Sequence, residues 1–363
     1  MWGCSMNFPV GGVEASASAS AAWRHMRALR HDPPGLAGDG GPRGRTFNAA
    51  LEQAEQLFVA AAGVGTAARP ILLFYGLSQA GRALAAAWTE TEDGRLSGHG
   101  IKALYLTSAE TAAEVAVQGD RRGSFPTIAT LLGTEQFGTE IKLGELCGLL
   151  PDLMGFPLSA DQSRRPIEFT TWTVNDPPFS DQIQTLGCAL LPPELGADPG
   201  VDMATGLPSL VRQKAQNMDD LRRRIEDFVS PYPALREWFP HGDNQGVTGQ
   251  RINDRLSLTY ACPPGWSNTD DSARGVHTYL GVSYAFPESA SGAVTPHPLL
   301  VWWSVLFALS MLARYEPDRW YRYISVASSP EAVPIENLLN LAMSSVPRTL
   351  LQVFTQLRDQ LAT

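Results

Sequence analysis

The feature that most constrains the fold is an almost uninterrupted apolar run, Leu299–Ala313, which begins directly after Pro298. Only Ser304 and Ser310 interrupt it. A membrane span requires roughly 20 apolar residues, and this run is shorter. Strongly polar residues also follow it at once. The run therefore predicts a helix buried in the core of a soluble protein.

The polar segment after this run is the first candidate site. It contains Arg314, Tyr315, Glu316, Pro317 and Trp320. Pro317 is expected to end the helix, because the residue before a proline avoids helical backbone angles. An arginine is favoured near a helix C-terminus. The segment predicts either a pocket for an anion or nucleotide, with an arginine donor and aromatic walls, or an ion-pair knot that caps the helix.

A second polar stripe lies on a helix expected over residues 70–88. Tyr75, Ser78 and Arg82 are spaced i, i+3 and i+7, so they share one helical face. Polar groups on an apolar helix need partners. We expect this face to lie close to the Arg314–Glu316 segment. Two glycines inside the helix suggest either the close approach of another backbone or a helix that is held together by its tertiary contacts.

Two further candidates involve histidine. His99 lies in a Ser-Gly-His-Gly turn, where it could act as a base or bind a phosphate, or could bond only to local backbone. Arg236 and His241 have the R-x4-H spacing of HEPN-type ribonucleases. That motif belongs on a continuous helix, which Pro240 disfavours. Arg236 and His241 are therefore weak catalytic candidates.

The remaining composition excludes several classes of site. The net charge of −9 argues against a protein that coats nucleic acid, although it allows a local basic groove. The four cysteines contain no C-x-x-C pair, and the six histidines have no metal-binding spacing. No P-loop or dinucleotide-binding motif is found. We expect no metal, no cofactor, no membrane association and no secretion signal, and hence a cytoplasmic location.

The order of elements predicts an α+β fold. Helical N- and C-terminal parts should pack together around a small central antiparallel or mixed β-sheet. Residues 1–45 are rich in Ala, Ser, Gly and Pro and are expected to form a flexible extension, with a short helix docked through Trp23 as the alternative. Residues 46–363 are expected to form a single body, with a strand-rich middle at about 100–290 and a helical part at 297–363.

The strand-rich middle consists of short β-prone segments separated by Gly, Pro or Asp. A helix is expected within it at Pro208–Val229. The predicted strands are Ile101–Thr107, Glu114–Gln118, Glu140–Leu146, Ile167–Val174, Thr185–Leu191, Arg255–Cys262 and His277–Phe286.

Several of these pieces, in this order, resemble the YaaC-like family of bacterial proteins over roughly residues 46–360. The resemblance is carried by Phe74–Ala83, His99–Ile101, Leu143–Leu146 with Leu150–Leu153, and Leu309–Pro317 with Trp320. It implies a cytosolic bacterial protein with helices around a small β region. It supplies no defined reaction, and the N-terminal extension departs from the family pattern.

The leading functional prediction is a binding protein. It would recognise an anionic ligand, such as a nucleotide or a nucleic-acid end, or a protein partner. The binding residues would be Tyr75, Ser78, Arg82, His99, Arg314, Tyr315, Glu316 and Trp320. One alternative is a metal-independent, HEPN-like ribonuclease in a phage-defence or toxin-like setting. Another is a structural subunit of a larger complex or a homo-oligomer.

Overall fold

The structure, a computed structural model, has an α+β fold with helical ends, as predicted, and its strands form two antiparallel sheets where one was expected. The described residues are 18–90, 96–134, 137–159, 164–174, 184–191, 223–237, 239–240, 250–252, 255–261, 275–288 and 296–362.

Helices occupy most of the described part of the chain. Short 3-10 helices lie at Gly35–Ala37, Ala112–Glu114 and Pro151–Leu153. The α-helices are α1 (Ala19–Ala28), α2 (Gly41–Ala62), α3 (Arg69–Trp88), α4 (Ser124–Leu131), α5 (Leu143–Gly148), α6 (223–229), α7 (Pro233–Glu237), α8 (Pro298–Tyr315), α9 (Pro317–Ile324) and α10 (Ala332–Ala362).

The strands form two sheets in which every pairing is antiparallel. The strands are β1 (Ile101–Leu104), β2 (Ala116–Gly119), β3 (Ile141–Lys142), β4 (Ile167–Val174), β5 (Gln184–Leu191), β6 (Phe239–Pro240), β7 (Gln250–Ile252), β8 (Arg255–Ala261), β9 (Val276–Tyr279) and β10 (Val282–Ala285). The first sheet has the order β1-β2-β3, and the second has the order β6-β8-β5-β4-β10-β9 with β7 paired to β8.

Helix α8 lies at the centre of the main core. It packs against α3, α5, α9 and α10, and Trp302 and Trp303 on it are fully buried. By length and composition it could cross a membrane, but most of its residues are buried inside the protein. The apolar side chains of this helix therefore belong to the protein core.

A histidine begins helix α8. The backbone N–H of Leu299 donates to Nδ1 of His297 over 3.1 Å, which makes His297 the N-cap. The ring of His277 lies 5.6 Å from that of His297. Burial, and to a smaller extent the neighbouring His277, lowers the pKa of His297 to about 3. The cap therefore depends on a neutral imidazole.

Replacing His297 with asparagine should make the stability of the fold less sensitive to acid. An unfolded histidine titrates near 6.5, whereas folded His297 titrates at about 3. The unfolded state therefore binds more protons below pH 6.5, and stability is lost as the pH falls from 6.5 towards 3. Asparagine also caps helices but does not titrate. Thermal unfolding between pH 7 and pH 3.5 measures the difference.

The exposed His31 supplies the control for this prediction. The variant His31→Asn should keep the acid dependence of the wild-type protein. Equal loss of stability in His297→Asn and wild type across this pH range would show that the cap is not an acid-sensitive element.

The predicted strand Glu140–Leu146 is wrong beyond its first residues. Only Ile141–Lys142 is extended, and α5 begins at Leu143. Leu143, Leu146 and Cys147 are buried and follow i, i+3, i+4 spacing. This helical face packs against α8, and the tertiary contact decides the conformation.

The predicted continuous strand His277–Phe286 is instead a hairpin of β9 and β10. The turn lies at Leu280 and Gly281, which have φ angles of 51° and 88°. The alternation of apolar residues in this segment comes from two short strands that meet at a left-handed turn. Gly281 tolerates that backbone conformation without steric cost.

Part of the predicted N-terminal extension requires correction. Residues 18–45 are folded, and α1 buries Ala22, Trp23 and Met26. The ring of Trp23 lies 5.4 Å from that of Phe58 on α2. The docked helix, considered above as the alternative, is the observed arrangement for these residues. Residues 1–17 and most of the helix expected at Pro208–Val229 lie outside the described residues.

Candidate functional site

The candidate site forms where helices α3 and α8 cross. Gly81 on α3 lies so close to α8 that an added Cβ would be 2.5 Å from Cη2 of Trp303. The close packing brings the C-terminal end of α8 next to the polar face of α3. The guanidinium carbon of Arg314 lies 5.6 Å from the ring centre of Tyr75. The expected proximity of these two segments is therefore confirmed.

Two tyrosines hold the Arg314 side chain. Its guanidinium carbon lies 4.8 Å from the ring centre of Tyr315 and 5.6 Å from that of Tyr75. Nη2 of Arg314 also donates to the hydroxyl of Tyr315 over 2.7 Å. Cation–π contacts with two rings restrict a long flexible side chain. Arg314 is half-buried, so its remaining N–H donors are oriented before any ligand arrives.

A loop of glycines places His99 beside this arginine. Gly98 and Gly100 have φ of 68° each, and Gly123, on the neighbouring loop, has φ of 125°. The N–H of Phe125 donates to the carbonyl of His99 over 2.9 Å. A Cβ on Gly123 would lie 2.5 Å from the nitrogen of Gly100. Only glycine allows the two backbones to approach this closely.

The imidazole of His99 rests on an aromatic floor and faces two positive charges. Its ring centre lies 5.5 Å from that of Phe74 on α3 and 5.8 Å from that of Phe307 on α8. The pKa of His99 is lowered, first by burial of part of the ring and then by the charges of Arg314 and Arg82. Both arginines therefore act on the same imidazole.

Arg82, His99 and Arg314, with the rings of Tyr75 and Tyr315, are here named the arginine–histidine cluster. Arg82 and His99 are exposed. Among the described residues, neither arginine of the cluster forms an ion pair with a carboxylate. In a chain with a net charge of −9, the cluster is a local concentration of positive charge.

Replacing Gly123 with alanine should displace the His99 loop. The added Cβ would meet the backbone at Gly100, and the φ of 125° is strained for any other residue. We expect a loss of stability of about 1–3 kcal/mol and several-fold weaker ligand binding. Gly133→Ala is the matched control, because Gly133 has φ of 63° but open space around its Cβ position. Equal ligand binding by the two variants would contradict this role for the loop.

Three other predicted binding residues do not join the cluster. Ser78 lies on α3 but is buried, with 8% of its surface exposed. The carboxylate of Glu316 lies 4.0 Å from Nε of Arg319, one turn along α9, and not against Arg314. Trp320 is 2% exposed, and its Nε1 donates to the carbonyl of Ala67 over 2.9 Å. The positions of Glu316 and Trp320 fit a structural role in holding α9 on the body.

The continuous helix that the ribonuclease-like motif requires is not formed in the described residues after Arg236. Helix α7 ends at Glu237, and Phe239–Pro240 forms a strand paired with β8. The guanidinium of Arg236 makes two hydrogen bonds to the carboxylate of Glu288, at 2.7 and 3.2 Å. His241 lies outside the described residues. Arg236 thus serves as a bidentate ion-pair partner in this structure.

Two parts of the cluster were not predicted from the sequence. One is the aromatic floor of Phe74 and Phe307, whose residues looked like ordinary core positions. The other is Gly123, which follows Arg121 and Arg122 in a segment that is not among the candidate sites of the sequence. A glycine after two arginines and before a helix start was the available signal. In the described part of the chain, no three His, Cys, Asp or Glu side chains come together as a metal site.

The comparisons with known proteins give one finding. A protein-family model described as YaaC-like Protein matches residues 41–354. The match runs from the start of α2 into α10, and hence covers every residue of the arginine–histidine cluster. No curated protein and no solved structure matches the chain.

Proposed function

The chain belongs to the YaaC-like protein family, and we propose that it is a cytoplasmic protein that binds a phosphate-bearing ligand at the arginine–histidine cluster. The observation that carries the proposal is the absence of any carboxylate paired with Arg82 or Arg314 in the described residues. Surface arginines of an acidic protein have many potential partners. Two that remain unpaired beside a histidine are available to an external anion.

The geometry of Arg314 favours phosphate among the possible anions. A guanidinium presents parallel N–H donors that match two oxygens of a phosphate or carboxylate. The contacts with the Tyr75 and Tyr315 rings, at 5.6 and 4.8 Å, restrict the positions that this guanidinium can take. Arg82 and His99 supply additional donors from other directions. A tetrahedral anion with several oxygens can use donors from several directions, whereas a planar carboxylate offers only two oxygens.

The pKa of His99 gives a second line of support. Burial of the ring and the two arginines lower this pKa in the free protein. A bound anion would offset the positive charges and raise the pKa. Binding would then be coupled to proton uptake, and affinity should increase as the pH falls through the range in which His99 titrates. The cluster is therefore expected to bind anions more tightly in mildly acidic solution.

Thermal unfolding in the presence of small probes tests the proposal. The probes are inorganic phosphate, AMP and adenosine at matched ionic strength. Stabilisation by phosphate and AMP, but not by adenosine, is expected for the wild-type protein, because a ligand that binds only the folded state raises the melting temperature. The double variant Arg82→Gln/Arg314→Gln should show no such shift. No stabilisation of the wild type, or an equal shift in the double variant, would overturn the proposal.

A further inference from the structure

A second group of unpaired arginines borders the cluster. The loop Asp120–Ser124 runs along the loop that carries His99, and the N–H of Asp120 donates to the carbonyl of Gly100 over 2.8 Å. A Cβ on Gly100 would lie 2.9 Å from the carbonyl oxygen of Arg122. The backbone of this arginine is therefore in contact with the loop of the candidate site.

Arg121 and Arg122 are both exposed and, within the described residues, neither forms an ion pair. Asp120, the acid next to them in the sequence, is engaged by the ammonium of Lys102 at 3.2 Å and by the N–H of Arg121. Elsewhere on the surface, arginines such as Arg30 and Arg322 pair with a carboxylate. The positive charge at this place is therefore larger than a single phosphate requires.

We infer that the ligand is the phosphorylated end of a single-stranded nucleic acid. This inference rests on the proposed function. The terminal phosphate would occupy the arginine–histidine cluster, and the following backbone phosphates would meet Arg121 and Arg122. Tyr315, which is 56% exposed, offers a ring on which a base can stack. Arginines that track a backbone and an aromatic ring that stacks a base are the two components of single-strand binding sites.

The charge of the remaining chain limits how much of the strand is bound. A net charge of −9 repels a long polyanion from most of the surface. Contacts should therefore be confined to a few phosphates at the end. For single strands, the slope of log affinity against log salt is about −0.7 per phosphate contact. A slope of about −2 to −3 is expected for three or four contacts.

Fluorescence anisotropy with a short oligonucleotide at several salt concentrations tests this inference. The 5′-phosphorylated strand should bind more tightly than the same strand with a 5′-hydroxyl. The double variant Arg121→Gln/Arg122→Gln should make the salt slope less negative by about 1.4, since two phosphate contacts are lost. Its affinity for AMP should be unchanged. The variant Arg322→Gln/Arg358→Gln removes two paired surface arginines and should keep the wild-type slope.

Three results would overturn the inference. The first is an unchanged salt slope in the Arg121→Gln/Arg122→Gln variant, and the second is equal binding of phosphorylated and hydroxyl strands. The third is an Arg121→Gln/Arg122→Gln variant that binds tripolyphosphate more weakly than the wild type but binds the oligonucleotide equally well. That result would assign these arginines to a nucleoside polyphosphate. The AMP measurement separates the two proposals. If AMP binds the wild type at the cluster, a failure with oligonucleotides leaves the proposed function intact.

Discussion

Replacing Arg314 with glutamine should weaken the binding of AMP by about 10- to 100-fold. This corresponds to the loss of a charge-assisted hydrogen-bonding group, about 1.5–3 kcal/mol. The effect should be large because Tyr75 and Tyr315 already orient the guanidinium, so little conformational entropy opposes its use. The affinity of Arg314→Lys for AMP should lie between those of the wild type and Arg314→Gln, since lysine keeps the charge but lacks the planar guanidinium. Isothermal titration calorimetry measures all three affinities.

The control for this prediction is Arg358→Gln, which removes an equal charge from an exposed position next to Asp359. Its affinity for AMP should match that of the wild type. Circular dichroism should show that both variants are folded. If Arg314→Gln and Arg358→Gln bind AMP equally well, Arg314 does not contact the ligand.

Replacing Gly81 with alanine should destabilise the protein by about 1–2 kcal/mol. The new methyl group would lie 2.5 Å from Cη2 and 2.6 Å from Cζ3 of Trp303, whose ring is fully buried and cannot move freely. Overpacking of this kind usually costs about 1–3 kcal/mol. The higher helix propensity of alanine offsets roughly 0.5–1 kcal/mol of this cost. The free energy of unfolding in urea gives the value.

Gly148→Ala is the matched control for Gly81→Ala. Gly148 also lies in a helix, α5, but its added Cβ would make only an ordinary contact, 3.6 Å from the carbonyl oxygen of Arg164. That variant should be neutral or slightly more stable, because alanine favours helix. A Gly81→Ala protein as stable as Gly148→Ala would mean that α3 and α8 are not packed as closely as described.

The sequence predicted the helices better than the strands, for a physical reason. The apolar run of α8 and the stop at Pro317 depend on local chemistry, and α8 ends within one residue of its expected position. The segment at Glu140–Leu146 is apolar in a pattern that suits either a strand or a helix. There the contact of α5 with α8 decides the outcome, and no local signal reveals that contact.

The glycines of α3 lie at points of close approach, but the prediction that another backbone approaches them is wrong. Gly81 faces the Trp303 ring, and an added Cβ on Gly76 would lie 2.7 Å from Cδ2 of Phe58. In both cases a large aromatic ring, not another backbone, fills the space. A sequence shows that a side chain is missing, but the identity of the neighbour depends on the tertiary packing.

The members of the site could be predicted where residues share one face of a helix. They could be predicted less well where the direction of a side chain depends on how the chain turns between two helices. Tyr75 and Arg82 lie on the same stripe of α3, and the structure brings this stripe to Arg314. Glu316 and Trp320 are equally close in sequence to Arg314. They turn to Arg319 and Ala67 because α9 begins at Pro317 and changes the direction of the chain.

NMR titration of the His99 imidazole is the most direct test of the anion-binding site. In the free protein, the pKa of His99 should lie below its ordinary value, because part of the ring is buried and Arg314 and Arg82 are close. Saturation with inorganic phosphate should raise this pKa, and the rise should disappear in the Arg82→Gln/Arg314→Gln variant. A pKa of His99 that stays the same with and without phosphate would contradict the assignment of the cluster as an anion site.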